Sequence, residues 1–188
     1  LKRVLTILKV LVSQLDVLET MTPTEFLTFR ERLDSASGFQ SDQFRALEFA
    51  LGRKQRASVE RFSEGSRARV SLQERWDAPT LWDAVLKYLS TQGYDLPETQ
   101  LERDVTAPIE PSEEVQAVLV KVYRDDPGNA DLCERLVDLD EGIQEWRYRH
   151  VKMVERTIGL KKGTGGSAGS GYLHTTLNRP LFPDLWEI

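Results

Sequence analysis

The chain has one cysteine, Cys133, in 188 residues. A disulfide within the chain is therefore excluded, and so is a zinc site built on cysteines. It also lacks an excess of positive charge: 25 Lys and Arg stand against 30 Asp and Glu, a formal net charge of −5. Broad nucleic-acid binding needs a basic face, and the basic runs here are short, as in Arg147-Tyr148-Arg149 and Lys161-Lys162. No nucleic-acid partner is expected. No apolar run approaches the ~20 residues that cross a bilayer, so no membrane is expected either. Residues 1–21 are rich in Leu and Val, but Lys2, Arg3, Lys9, Gln14, Asp16 and Glu19 interrupt them. They read as an amphipathic helix and not as a signal peptide. No segment alternates in the manner of a strand, and no internal repeat is visible. What remains is an all-α chain of 1–188 as a single domain, with a composition suited to a reducing cytoplasm. It begins at Leu1 inside a helical pattern, which is the expectation for a fragment whose upstream helices are missing.

The helices announce themselves by caps and stripes. Thr22-Pro23-Thr24-Glu25 combines a capping residue, a proline suited to the first helical position and a glutamate that completes a capping box. The helix it starts runs to about Leu33. A second runs from Phe39 to about Leu51, with Phe44, Leu47 and Leu51 inward and Gly52 as a stop. Residues 53–70 are highly charged and read as an exposed helix or helix-loop. Pro79 to Thr91 carries the stripe Trp82, Val85, Leu86 and Leu89, and Gly93 ends it. Pro97, Pro108 and Pro111 predict an extended surface connection over 94–112. Ser112 to Arg124 is amphipathic through Val115, Val118, Leu119 and Val122. After a turn at 126–129, a long helix from Ala130 to Ile158 is expected, capped by Asn129. A short helix over 172–177 and an irregular aromatic tail over 179–186 complete the chain.

The long helix holds the most informative residue. Leu132, Leu136, Leu139, Ile143 and Trp146 lead at helical spacing to His150, and Met153, Val154, Thr157 and Ile158 continue the stripe. An imidazole on such a face is either a hydrogen-bonded core residue or a ligand to a metal or haem. Past Gly159, the run Gly163 to Gly171 (GTGGSAGSG) is either a linker or a loop that closes over a small molecule. It is not a phosphate loop, because no Lys-Ser or Lys-Thr follows its last glycine. It is not a dinucleotide fingerprint, because a helix and not a strand precedes it. On the helix that starts at Pro23, Arg30 shares a face with Phe26 and Leu33. A guanidinium there snorkels, pairs with an acid or awaits an anionic ligand such as a carboxylate.

Residues 22–33 (TPTEFLTFRERL) and 35–45 (SASGFQSDQFR) resemble the substrate-binding stretch of the tryptophan 2,3-dioxygenase family. Residues 147–159 (RYRHVKMVERTIG) and 163–173 (GTGGSAGSGYL) resemble that family's haem-ligand helix and substrate-closing loop, and 182–186 (FPDLW) is similar to its bacterial branch. The resemblance implies a helical bundle of the haem-dependent tryptophan/indoleamine dioxygenase type. It implies haem b as cofactor, with His150 as the axial ligand of the iron and Trp146 and Ile158 packed on the same side. It implies that Arg30 pairs with the carboxylate of L-tryptophan and that Thr164 contacts its ammonium and carboxylate. Phe26 and Leu33 would lie by the indole, and Ser37 and Gly38 would line the distal face. The implied reaction opens the indole ring with both atoms of O2 to give N-formylkynurenine, in a cytoplasmic homotetramer. In that family the distal histidine and further pocket aromatics lie upstream of the residue matching Leu1, in helices exchanged between subunits. The alternatives are a related haem oxygenase acting on a modified indole and a non-catalytic helical oligomerisation module. The other histidine, His174, is the alternative ligand.

Overall fold

The computed structural model describes residues 16, 19–33, 42–159, 170–174, 177 and 179–188, with the backbone alone at 29–33, 170 and 172. Among the described residues all regular structure is helical, in agreement with the all-α expectation. None of these helices is long and apolar enough to cross a membrane. In chain order they are α1 (Pro23–Leu33), α2 (Asp42–Ala50), α3 (Arg56–Glu60), α4 (Arg67–Asp77), α5 (Leu81–Thr91), α6 (Glu98–Leu101), α7 (Glu113–Asp125), α8 (Pro127–Ile158) and α9 (Ser170–His174), with a 3-10 turn at Pro183–Leu185. Of the amphipathic helix expected over 1–21, Asp16, Glu19, Thr20 and Met21 lie within the described residues; the first three are helical and Met21 is a bend. The expected loop at 34–38 lies outside them.

The chain forms two compact units. One comprises 1–40 and 135–180, the other 41–134 and 181–188. In the second unit, Phe49 of α2, Val59 of α3 and Leu72 of α4 make a fully buried cluster, with Ala46, Phe62 and Trp76 packed against it. Of the residues expected inward around α2, Leu51 is buried just past its end, but the inward face of the helix itself differs. Phe49 is buried and Phe44 and Leu47 are half-buried, because Phe49 stands edge-on to Trp76 at 5.6 Å and turns the helix toward that cluster. Arg45, one turn before Phe49, is carried inside with it and pairs with Glu48 at 2.5 Å. Charge had suggested an exposed 53–70; Val59 is the apolar anchor within it. Gly52 has φ +88, and a Cβ there would run into the Ile109 side chain, so this stop signal is also a close approach.

Helix α5 starts at Leu81 behind a full capping box, Thr80 with Asp83, and buries the four stripe residues expected of it. Helix α7 likewise buries Val115, Val118, Leu119 and Val122. The 94–112 connection is not wholly extended. Pro97 caps the short α6, since proline's missing N–H costs nothing at a helix start. Asn129 does not cap the long helix. Pro127 takes the first helical position, and the Asp126 carboxylate accepts from the Asn129 amide N–H at 3.1 Å and from its side chain at 2.7 Å. The cap is therefore one turn earlier. The aromatic tail is ordered: Leu181, Phe182 and Leu185 are buried, and Phe182 lies 5.7 Å from the Trp82 ring.

Candidate functional site

Helix α8 owes its length to its apolar seam, which outweighs the poor helix formers within it, Gly142 among them. Cys133, Leu136, Leu139, Ile143, Val151 and Met153 are buried along it. Burial pushes the Cys133 thiol up to about 11, so it is a packing residue and not a nucleophile. His150 lies at the margin of this seam and is half-buried. Its ring stacks on Trp146, one turn earlier, with centroids 5.2 Å apart and planes 28° apart. Removal from water lowers the His150 pKa below its usual value, with no charged or hydrogen-bonding partner contributing to the shift. The imidazole is thus held neutral, with a lone pair to offer. Among the described residues no group of three His, Cys, Asp or Glu side chains could hold a metal ion. A single imidazole holds iron when the metal's other ligands come with it, as in a macrocycle.

Around His150 the helix is braced by interactions that its sequence conceals. Arg147 is buried and donates toward the Arg179 carbonyl at 3.5 Å. Arg149 forks onto Glu19, Nε to Oε1 and Nη2 to Oε2 both at 2.9 Å, and also meets Asp16. That fork is the first cause of the lowering of the Glu19 pKa. Farther along, Thr157 returns its hydroxyl to the Met153 carbonyl at 2.8 Å. The run Arg147-Tyr148-Arg149 looks in sequence like a short solvated patch; two of its three members are structural. The acids that hold Arg149, at 16 and 19, are more than a hundred positions away, so no local pattern pointed to the pairing.

The other candidate residues are distributed as follows. Ile158 is the last residue of α8 and is half-buried. Phe26 is half-buried on α1, whose start is the expected capping box: the Thr22 amide donates to Glu25 at 2.8 Å and the Glu25 amide to the Thr22 hydroxyl at 3.3 Å. Arg30 and Leu33 lie on the same helix, with the backbone alone described. Ser37, Gly38 and Thr164 lie outside the described residues. His174 is exposed and 2.5 Å from the Glu155 carboxylate, which it helps to hold ionised. Of the candidates, then, the structure brings Trp146 and His150 into contact.

Fold and site define a class: an all-α protein that offers one neutral imidazole from the C-terminal third of a long helix, backed by a stacked indole. The family model described as "Tryptophan 2,3-dioxygenase" matches residues 1–69 and 73–188. A tryptophan 2,3-dioxygenase of Herpetosiphon aurantiacus is 55% identical over 188 residues, covering 100% of this chain and 72% of the relative. One from Anaeromyxobacter sp. (strain K) is 57% identical, over 100% of this chain and 71% of the relative. One from Caulobacter vibrioides is 42% identical over 191 residues, again covering the whole chain and 73% of its own length. The chain belongs to the tryptophan 2,3-dioxygenase family.

Proposed function

We propose that this chain carries the haem-ligand helix and the substrate-binding residues of an enzyme that opens the indole ring of L-tryptophan with O2, giving N-formylkynurenine. The observation that carries the reading is the neutral, Trp146-stacked His150 on a chain of this family. The donor chemistry fits haem b: a protonated imidazole cannot ligate iron, and burial here disfavours protonation. A bound haem supplies the redox chemistry by which both oxygen atoms enter across the indole C2–C3 bond.

The chain's own residues bind and orient. His150 would hold the haem iron through a ring nitrogen, and Trp146 restrains the plane of that ring. Ile158 helps to keep water from the same side. Arg30 takes the substrate carboxylate as a two-pronged partner, and Thr164 takes the ammonium and carboxylate. Phe26 and Leu33 would serve the indole, and Ser37 and Gly38 would serve the distal side of the pocket. Holding the indole still beside the site of oxygen chemistry is a positioning contribution. We take 1–188 as one domain, because a single family model spans residues 1–69 and 73–188. The working form is proposed to be a cytoplasmic homotetramer.

Reconstitution with haem, followed by product analysis with L-tryptophan, O2 and a reductant, tests the reading. A Soret band and N-formylkynurenine are expected. An oxindole or hydroxylated product would replace it with a related oxygenase, and absence of the band would leave a helical module. Light scattering checks the tetramer.

A further inference from the structure

Two cations of α8 grip the last turn of the helix that precedes α1. Arg149 meets both oxygens of Glu19 at 2.9 Å and also donates to Asp16. Two turns along, Arg156 Nη1 donates to the Glu19 backbone carbonyl at 3.1 Å. The last carbonyls of a helix are orphaned and carry its negative end, so cations there are favourable on two counts. A bidentate guanidinium–carboxylate pair fixes angle as well as distance. Between Glu19 and Pro23, the first residue of α1, lie only Thr20, Met21 and Thr22, and Thr22 is tied into the α1 capping box. There is little slack. Where α8 holds Glu19, it also sets where α1 begins.

We propose that Arg149, assisted by Arg156, is a positioning residue: it fixes α1, which bears Phe26 and Arg30, relative to the neighbouring His150 on α8. The proposal rests on the function assigned above to those three residues. A substrate held from α1 and an iron held from α8 react only if the two helices keep their spacing. A misplacement of about 1 Å can cost roughly 10²-fold in rate. Global stability depends little on the cluster, because Glu19 and Asp16 remain 38% and 65% exposed. Its effect is therefore local, which separates positioning from simple support.

The test is a charge-exchange cycle in the haem-loaded protein: Arg149→Ala, Arg149→Lys, Arg149→Glu, Glu19→Arg and the double exchange. L-tryptophan binding is measured by calorimetry, haem retention by the Soret band, and hydrogen exchange over 19–33 without substrate. In Arg149→Ala, tryptophan should bind about 3–10-fold more weakly, as expected for losing a half-exposed bidentate pair. The Soret band should stay, and protection over 19–33 should fall while that of α5 is unchanged. Arg149→Lys, which keeps the charge and loses the fork, should lie between. The double exchange should bind more tightly than either charge reversal alone. Unaltered tryptophan affinity and unaltered protection over 19–33 in Arg149→Ala would overturn the proposal, and so would a double exchange no better than the worse single variant. If Arg149→Ala fails to fold, the Arg149→Lys comparison decides by the same two readouts. A wild-type protein without a Soret band or tryptophan binding would instead overturn the functional reading, and is scored first.

Discussion

Trp146 lies against His150 one turn away on α8, its ring centroid 5.2 Å from the imidazole's and tilted 28° from it. The indole covers one face of the imidazole and restricts its plane, while burial as a whole lowers the ring's pKa. His150→Ala in the haem-loaded protein is expected to abolish stable haem binding, read as loss of the Soret band. Trp146→Ala should keep the ligand and weaken the hold by roughly the 0.5–1.5 kcal/mol of an aromatic pair. A normal Soret spectrum in His150→Ala would point to another ligand. His174 is a poor substitute, being exposed and engaged with Glu155.

Arg30 follows the half-buried Phe26 by four residues on α1. Arg30→Ala is expected to weaken L-tryptophan binding by about 2–5 kcal/mol, the range for truncating one partner of a buried, hydrogen-bonded charge pair. Tryptamine, which has no carboxylate, should lose much less. Equal losses for both ligands, measured by calorimetry, would assign Arg30 to the fold.

Elements with their own start and stop chemistry were legible from the chain. The Thr22–Glu25 box, the stripes of α5 and α7 and the glycine at 93 all stand where the sequence put them. What escaped was set by tertiary partners. Fully burying a side chain such as Phe49 is worth about 1.5–3 kcal/mol, enough to rotate α2 and take Arg45 inside. Asp126 outcompeted Asn129 as a cap because Pro127 presets the first helical residue. At the candidate site, His150 and Trp146 could be read from spacing. The bracing by Arg149 could not, since its acids lie more than a hundred positions away.

Asp184 is almost fully buried and accepts from the Ser112 amide at 2.6 Å and from the Gln116 side chain at 3.1 Å. It clasps the chain's last residues to the start of α7. Desolvation raises its pKa above the usual value in spite of both donors. A raised folded-state pKa means that the carboxyl's contribution to stability is complete below its unfolded value and is lost as pH rises through the folded one. Asp184→Asn keeps an acceptor and removes the buried charge. Chemical denaturation at neutral pH should therefore find it equal to or slightly more stable than the parent. Asp184→Ala strands two donors and should cost about 1–3 kcal/mol. A large loss in Asp184→Asn would show that the charge itself is needed.

Asp83 has the opposite sign. It closes the capping box of α5 and receives Arg103, Nε at 2.5 Å and Nη2 at 3.0 Å. Burial favours its neutral form, but the hydrogen bonds from Arg103 and Thr80 outweigh burial and hold its pKa below the usual Asp value of 3.8. A depressed folded-state pKa means stability that is present above the unfolded value and lost as pH falls through the folded one. Arg103 also donates to the Ala107 carbonyl at 3.0 Å, so the pair ties the chain after α6 to the first turn of α5. Each side chain of the pair is 12% exposed, which places it between surface and buried ion pairs. Arg103→Ala should cost roughly 2–4 kcal/mol at neutral pH, because it leaves a mostly buried carboxylate without its cation. Asp83→Asn should lose less, and its stability should change less with pH below about 4, near the usual carboxylate range. Urea denaturation from pH 3 to pH 7 distinguishes the variants. Parallel pH profiles for Asp83→Asn and the parent would mean that the ionised Asp83 is not what acid removes.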